Sequence, residues 1–158
     1  MCLVDVKGSP KPVVACASPY APSMRINVES PLTQKARESV LEFLLLNHPL
    51  DCFICDQGGE CDLQENSQKY GSDKSRNFRY MRRAVKNKNL GFIIKTEMNR
   101  CIHCEGCTRF YSVMTGKPLL GTLGRGWRTE IDTYFNSFLL SELSGNLADR
   151  CPVGYTYI

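Results

Sequence analysis

Nine cysteines carry the chemistry of this 158-residue chain, at positions 2, 16, 52, 55, 61, 101, 104, 107 and 151. A disulfide scaffold spreads an even number of cysteines through a short secreted chain. Here the count is odd and the residues come in tight groups, Cys52-x2-Cys55 and Cys101-x2-Cys104-x2-Cys107. Structural zinc commonly takes two separated pairs around one tetrahedral ion. Three cysteines in one short loop instead wrap several irons of a cube, and a remote fourth thiolate closes it. Cys151-Pro152 has the Cys-Pro form of that closing ligand.

The other group reads His48-x3-Cys52-x2-Cys55-x5-Cys61. Three cysteines leave a four-iron cube one ligand short, and a neutral imidazole can supply it, as imidazoles do for one iron of Rieske centres. On spacing alone, a zinc ion held by three cysteines and one histidine fits the same residues, as does a cluster beside an uninvolved histidine. The chain has two histidines. His103, between two ligand cysteines, reads as a neighbour of a cluster rather than a ligand.

The elements that must position these groups begin with β-rich runs at Leu3–Val6 and Val13–Ala17, divided by a turn-type segment, and a third at Arg25–Val28. So few strands bury too little to stand alone. Ser30 and Pro31 then start a helix. Its apolar face is expected at Leu32, Ala36, Val40, Phe43 and Leu44, and Pro49 stops it at about His48. Gly58 and Gly59 permit close backbone approach in the cysteine loop that follows. The basic stretch 65–89 reads as a solvated or partner-facing helix rather than a nucleic-acid patch. Phe92–Thr96 and Thr129–Phe135 read as strands, and Ser137–Leu143 as a short helix ending at Gly145.

Composition sets the outer bounds. Lys plus Arg number 20 and Asp plus Glu 16, apolar residues make up 42% and charged residues 23%, which is ordinary globular usage. No apolar run approaches the ~18 residues of a membrane helix, and no basic-then-apolar leader is visible. Gly121-x2-Gly124-x-Gly126 is not a dinucleotide fingerprint, and no Lys-Ser/Thr phosphate loop occurs. Without a nucleotide, flavin or quinone site or a catalytic triad, two cubes on a small chain make an electron relay.

The segments His48-Pro-Leu-Asp-Cys52-x2-Cys55-Asp-Gln-Gly-Gly-Glu-Cys61, Arg100-Cys101-Ile-x-Cys104-x2-Cys107-x-Arg109-Phe110 and Ser141-Glu-Leu-Ser-Gly-Asn146…Cys151-Pro-Val-Gly154 together resemble the large iron–sulfur subunit of respiratory complex I, NADH:ubiquinone oxidoreductase. The resemblance implies an α+β fold in three parts. A truncated ferredoxin-like β-grasp remnant at 1–30 precedes a [4Fe–4S] module at 31–90 with one histidine and three cysteine ligands. A four-cysteine ferredoxin-like [4Fe–4S] module follows at 91–158. Carried over, His48, Cys52, Cys55 and Cys61 hold one cube, and Cys101, Cys104, Cys107 and Cys151 the other. Of the family's [2Fe–2S] ligands, only Cys2 and Cys16 are matched; one piece of a divided subunit with another chain completing that cluster is expected, the alternatives being a lost [2Fe–2S] site or ligands in residues upstream of Met1.

The implied role is passage of single electrons from a flavin-bearing subunit toward quinone, within an enzyme assembly on the matrix side of the mitochondrial inner membrane, or the cytoplasmic face of a bacterial one. Implied partners are that flavin-bearing subunit, the next iron–sulfur subunit and the chain completing the β-grasp, with no nucleic acid and no membrane span. Two alternatives remain at this stage. They are an iron–sulfur subunit of a soluble NAD-linked hydrogenase or formate dehydrogenase, and a zinc-stabilised nucleic-acid-binding module.

Overall fold

The computed structural model describes residues 1–158, Asn136 through its backbone alone. The chain forms two compact units. One is Met1–Leu46 with Asn66–Asn77, the other Asn47–Glu65 with Phe78–Ile158.

In the first unit, β1 (Leu3–Val6) is the centre of a three-stranded antiparallel sheet between β2 (Val13–Val14) and β3 (Ile26–Asn27). Leu3 pairs with Val14 and Val6 with Ile26. The second strand is shorter than its β-rich run, because Ala17 N–H donates to Val14 O and turns the chain out of the sheet. Helix α1 (Pro31–Leu45) starts as expected, with the Ser30 hydroxyl accepting from Thr33 N–H. It ends at Leu45, short of His48.

The buried face of α1 is not the one that apolar spacing indicates. Thr33, Arg37 and Leu41 point inward, whereas Leu32 is exposed and Phe43 is 73% exposed. Arg37 explains the rotation. Its Nη2 donates to Leu3 O at 3.1 Å and its Nη1 to the Tyr70 hydroxyl at 3.2 Å, with the guanidinium 5.1 Å from the Tyr70 ring. A buried guanidinium must be paired, and these partners turn the helix about one position.

Helix α2 (Asp62–Tyr70) follows the first cysteine loop. The helix expected over 65–89 holds only as far as Tyr70; the rest of that stretch is irregular. Within the second unit its backbone groups bond to other segments instead. Ala84 N–H donates to Asn99 Oδ1, Lys88 N–H to Thr96 Oγ1, and Lys86 O accepts from Met98 N–H. Side-chain oxygens compete with the helical ladder in this way.

The rest of the second unit is a scaffold of short elements. Strand β4 (Lys95–Thr96) pairs antiparallel with β7 (Thr156–Tyr157), and Lys95 lies opposite Tyr157. Helix α3 (Gly106–Thr115) ends at Gly116, which takes the left-handed conformation (φ +67°) that glycine adopts without strain. Strands β5 (Leu120–Leu123) and β6 (Glu130–Thr133) form a hairpin, so the glycine-rich 116–126 segment holds a strand that its composition concealed. Strand β6 is shorter than the expected 129–135 run. The helix expected over Ser137–Leu143 is displaced: Leu139 N–H donates to Leu90 O, a 3₁₀ turn occupies Glu142–Gly145, and α4 (Asn146–Arg150) continues past Gly145. Leu90, Ile94, Met98, Ile131, Leu147 and Tyr155 form the core beneath. Each fully buried side chain of this size contributes about 1.5–3 kcal/mol.

Candidate metal centre

The first loop coils tightly. Cys52–Ile54 is one 3₁₀ turn, Cys55 N–H donates to Cys52 O, and Gly58 N–H donates to Cys55 O at 2.9 Å. A Cβ on Gly58 would sit 2.7 Å from Cys52 O, so the loop closes only around glycine. Gly59 has φ +92°, and its N–H is held by Gln64 Oε1. Cys61 O then accepts from Glu65 N–H and opens α2, which places Cys61 at a helix N-terminus. His48 is half-buried, and its Nδ1 is buried with no hydrogen-bond partner. Burial lowers its pKa, opposed by Asp51 and assisted by Arg100, so the neutral ring with a free lone pair is favoured.

The second set depends on long-range contacts. Cys101 follows a 3₁₀ turn at Met98–Arg100, and Cys107 lies in the first turn of α3. Between them His103 (φ +55°) and Glu105 (φ +58°) take left-handed conformations, which are uncommon without glycine and curl the loop around its own cysteines. His103 N–H donates to Cys101 Sγ at 3.4 Å. The His103 ring is pinned, with Nε2 2.9 Å from Arg82 Nη1 and 2.8 Å from Thr129 O.

Cys151 arrives through the β4–β7 pair. That pair and the 2.7 Å bond from Glu97 N–H to Tyr155 O bring the segment after α4 beside the one before Cys101. Burial pushes the Cys101 thiol up to about 12, with repulsion from Cys107, Cys151 and Cys104 adding to it. Burial likewise pushes Cys107 up to about 11, with Cys151 and Cys104 contributing. The charges of Cys104 and Cys151 thus act on both Cys101 and Cys107.

The two sets also meet each other. Cys61 Sγ donates to Pro152 O at 3.6 Å. A Cβ on buried Gly154 would run into Cys55 Sγ. Among the described residues no three His, Cys, Asp or Glu side chains converge on a point for a single metal ion. Soft thiolates with one imidazole are the donor set of an iron–sulfur cluster. Unpartnered His48 Nδ1, the mutually repelling thiols of Cys101 and Cys107 and the cradle at Gly154 all fit such a group, with Cys104 at its exposed edge.

Cys2 and Cys16 lie in the other unit, exposed, with sulfurs 3.3 Å apart. Their hydrogen bond lowers the pKa of Cys2 and raises that of Cys16.

Two arginines at the ligand loops were not singled out by spacing. Arg82 lies in the basic stretch, and Arg100 precedes Cys101. Composition marks both as surface charge; only the chain path reveals Arg100 as buried.

Two family models match. Residues 37–76, which include His48, Cys52, Cys55 and Cys61, match the NADH-ubiquinone oxidoreductase-G iron–sulfur binding region. Residues 91–156, which include the other four cysteines, match the ferredoxin-like domain of NADH-quinone oxidoreductase subunit 3. The chain is 58% identical over 154 residues to the NADH-ubiquinone oxidoreductase 75 kDa subunit of Reclinomonas americana, covering 98% of this chain and 22% of that one. It is equally identical over 154 residues to mitochondrial NADH dehydrogenase (ubiquinone) iron–sulfur protein 1 of Solanum tuberosum, covering 98% and 21%. The mitochondrial 78 kDa subunit of Neurospora crassa is 58% identical over 156 residues. The chain thus spans about a fifth of the length of these curated relatives. Among solved structures, an NAD+-reducing [NiFe]-hydrogenase in the H2-reduced state superposes with a TM-score of 0.82 at 25% identity, over 98% of this chain and 66% of that one.

Proposed function

Because the chain belongs to the NADH-ubiquinone oxidoreductase 75/78 kDa iron–sulfur subunit family over the fifth of their length that it spans, we propose that it relays single electrons within such an oxidoreductase, from a flavin-bearing subunit toward quinone. His48, Cys52, Cys55 and Cys61 hold one [4Fe–4S] cluster, and Cys101, Cys104, Cys107 and Cys151 a second. The observation that carries this reading is the shared wall. Pro152 O and Gly154, directly after a ligand of the second set, lie against Cys61 and Cys55 of the first. Bound clusters would supply reversible one-electron chemistry. The chain supplies position, burial and charge.

Its residues divide that work. The coil at Gly58 brings the Cys52 and Cys55 backbones close together, with Cys52 at the surface and Cys55 half-buried. The first turn of α3 offers backbone N–H groups to Cys107, and its positive dipole end suits thiolate charge. Buried Tyr155 lies within the field of Cys101, Cys107 and Cys151. The module boundaries 1–30, 31–90 and 91–158 belong to this reading, as does a place in the peripheral arm of a mitochondrial assembly, beside the flavin-bearing and next iron–sulfur subunits. The Solanum and Neurospora relatives are named as mitochondrial, and no helix is long and apolar enough to cross a membrane. The hydrogenase reading draws on the 0.82 superposition, but 25% identity against 58% favours the ubiquinone-linked family.

In the assembled enzyme, Cys61→Ala should abolish electron flow from NADH to quinone while NADH oxidation by an artificial acceptor at the flavin persists. Undiminished quinone reduction would overturn the relay. His48→Cys should keep its cluster but lower its potential, since thiolate adds the negative charge that imidazole lacks. Potentiometry showing no change would remove His48 from the ligand set.

Cys2 and Cys16 complete the reading. Two thiolates cannot hold a [2Fe–2S] cluster, which takes four ligands. The other two ligands lie outside residues 1–158. A structure of the assembly should show a cluster on Cys2 and Cys16 with its remaining ligands outside this stretch. Unligated or mutually bonded sulfurs there would sink the [2Fe–2S] site.

A further inference from the structure

We propose that Arg100 is a positioning residue for both ligand sets at once, a buried positive charge between the two loops that raises the reduction potentials of the clusters they hold and keeps the pair matched. This inference rests on the relay reading above and deepens it.

The contacts of Arg100 reach both loops. Its Nη2 donates to Ile54 O, between Cys52 and Cys55, at 3.4 Å. Its Nη1 donates to Gly154 O, three residues after Cys151, at 3.5 Å. Its own backbone leads directly into Cys101. Its Nε stands 3.6 Å from Asp51 Oδ2, the residue before Cys52.

The charge is poorly paired for its depth. The side chain is 9% exposed, while Asp51 is 32% exposed and lies beyond hydrogen-bond range. Arg100 Nε is buried with no hydrogen-bond partner, and the carbonyl bonds are long. A buried guanidinium normally demands short, bidentate partners. Contrast Arg76 on the surface, which grips both Glu42 oxygens at 2.6 Å. A cation left so incompletely neutralised projects its field onto its surroundings, which are the loop carrying Cys52 and Cys55, the segment after Cys151, and His48, whose protonation it disfavours.

Reduction adds one negative charge to a cluster, so a nearby positive charge stabilises the reduced form and raises the potential. Placed between two clusters, one charge acts on both and moves them together. Electron passage between them then stays nearly level whatever else shifts. Asp51 acts in the opposite sense and most strongly on the histidine-bearing loop, since it adjoins Cys52 and its field reaches His48.

The test is an EPR-monitored redox titration of the full chain loaded anaerobically with iron and sulfide. In Arg100→Gln, the reduced-to-oxidised ratio at a fixed ambient potential should fall about tenfold for both clusters, some 59 mV for a one-electron couple. Arg100→Lys should restore most of it, since charge rather than the guanidinium fork is responsible. Asp51→Asn, at a half-exposed position, should raise the potential of the histidine-bearing cluster, and that of the other by less. Clusters present at unchanged potentials in Arg100→Gln, or a shift in only one, would overturn the proposal. Should Arg100→Gln fail to fold, Asp51→Asn still decides it: no upward shift means that charge at this junction does not set potential. A wild-type chain that takes up no cluster would instead defeat the underlying relay reading, a distinguishable outcome.

Discussion

Cys151→Ala should empty the four-cysteine site while leaving the histidine-bearing cluster in place. The loop Cys101–Cys107 supplies three thiolates, and a cube needs a fourth. Cys151 reaches the others only because β7 pairs with β4 and Tyr155 O accepts from Glu97 N–H. Those contacts are backbone bonds, untouched by removal of a sulfur, so the fold should survive. Iron and sulfide content should fall by about half, with loss or conversion to a three-iron signal at one site only. Retention of both clusters would mean that another group, such as His103 or water, closes the second cube.

Gly154→Ala should do the reverse through sterics alone. The methyl group would clash with Cys55 Sγ, and Gly154 is buried, with Val153 and Tyr155 also buried on either side. Neither backbone can yield cheaply, because Gly154 O accepts from Arg100 and the Cys55 backbone is bonded to Cys52 and Gly58, so the Cys55 side chain must move. Overpacking of this kind costs typically 1–3 kcal/mol. Much of it should be relieved by rotating Cys55 out of the ligand set. The histidine-bearing cluster should therefore be lost or destabilised, and the denaturation midpoint lowered. A variant with both clusters and unchanged stability would show that the wall between the sets is not closed at this point.

These two predictions use residues that spacing made legible to different degrees. Cys151-Pro152 could be proposed as a ligand from sequence because a Cys-Pro ligand has a local signature. The β-rich N-terminus and the Ser30–Pro31 helix start were legible for the same reason, since caps and short strands are written in adjacent residues. The inward face of α1 was not. Arg37 defeats an apolar-periodicity argument because its burial depends on Leu3 O and Tyr70, remote in the sequence. The stretch after Tyr70 was misjudged on the same ground, for its backbone partners, such as Thr96 and Asn99, come from elsewhere in the chain. Helix α3 escaped because Cys104, Glu105 and Gly106 mask its start. Gly154 and Arg100 stood inside motifs already quoted, yet their importance lies in what crosses to the other loop, and a linear pattern does not carry that.

The most direct test of the central claim, two adjacent four-iron clusters exchanging electrons, is the EPR spectrum of the fully reduced, cluster-loaded wild-type chain. The account predicts signals from two reduced cubes, broadened by magnetic interaction between neighbours, with iron and acid-labile sulfide in equal amounts. A single unbroadened signal, or a silent chain containing zinc and no sulfide, would contradict it.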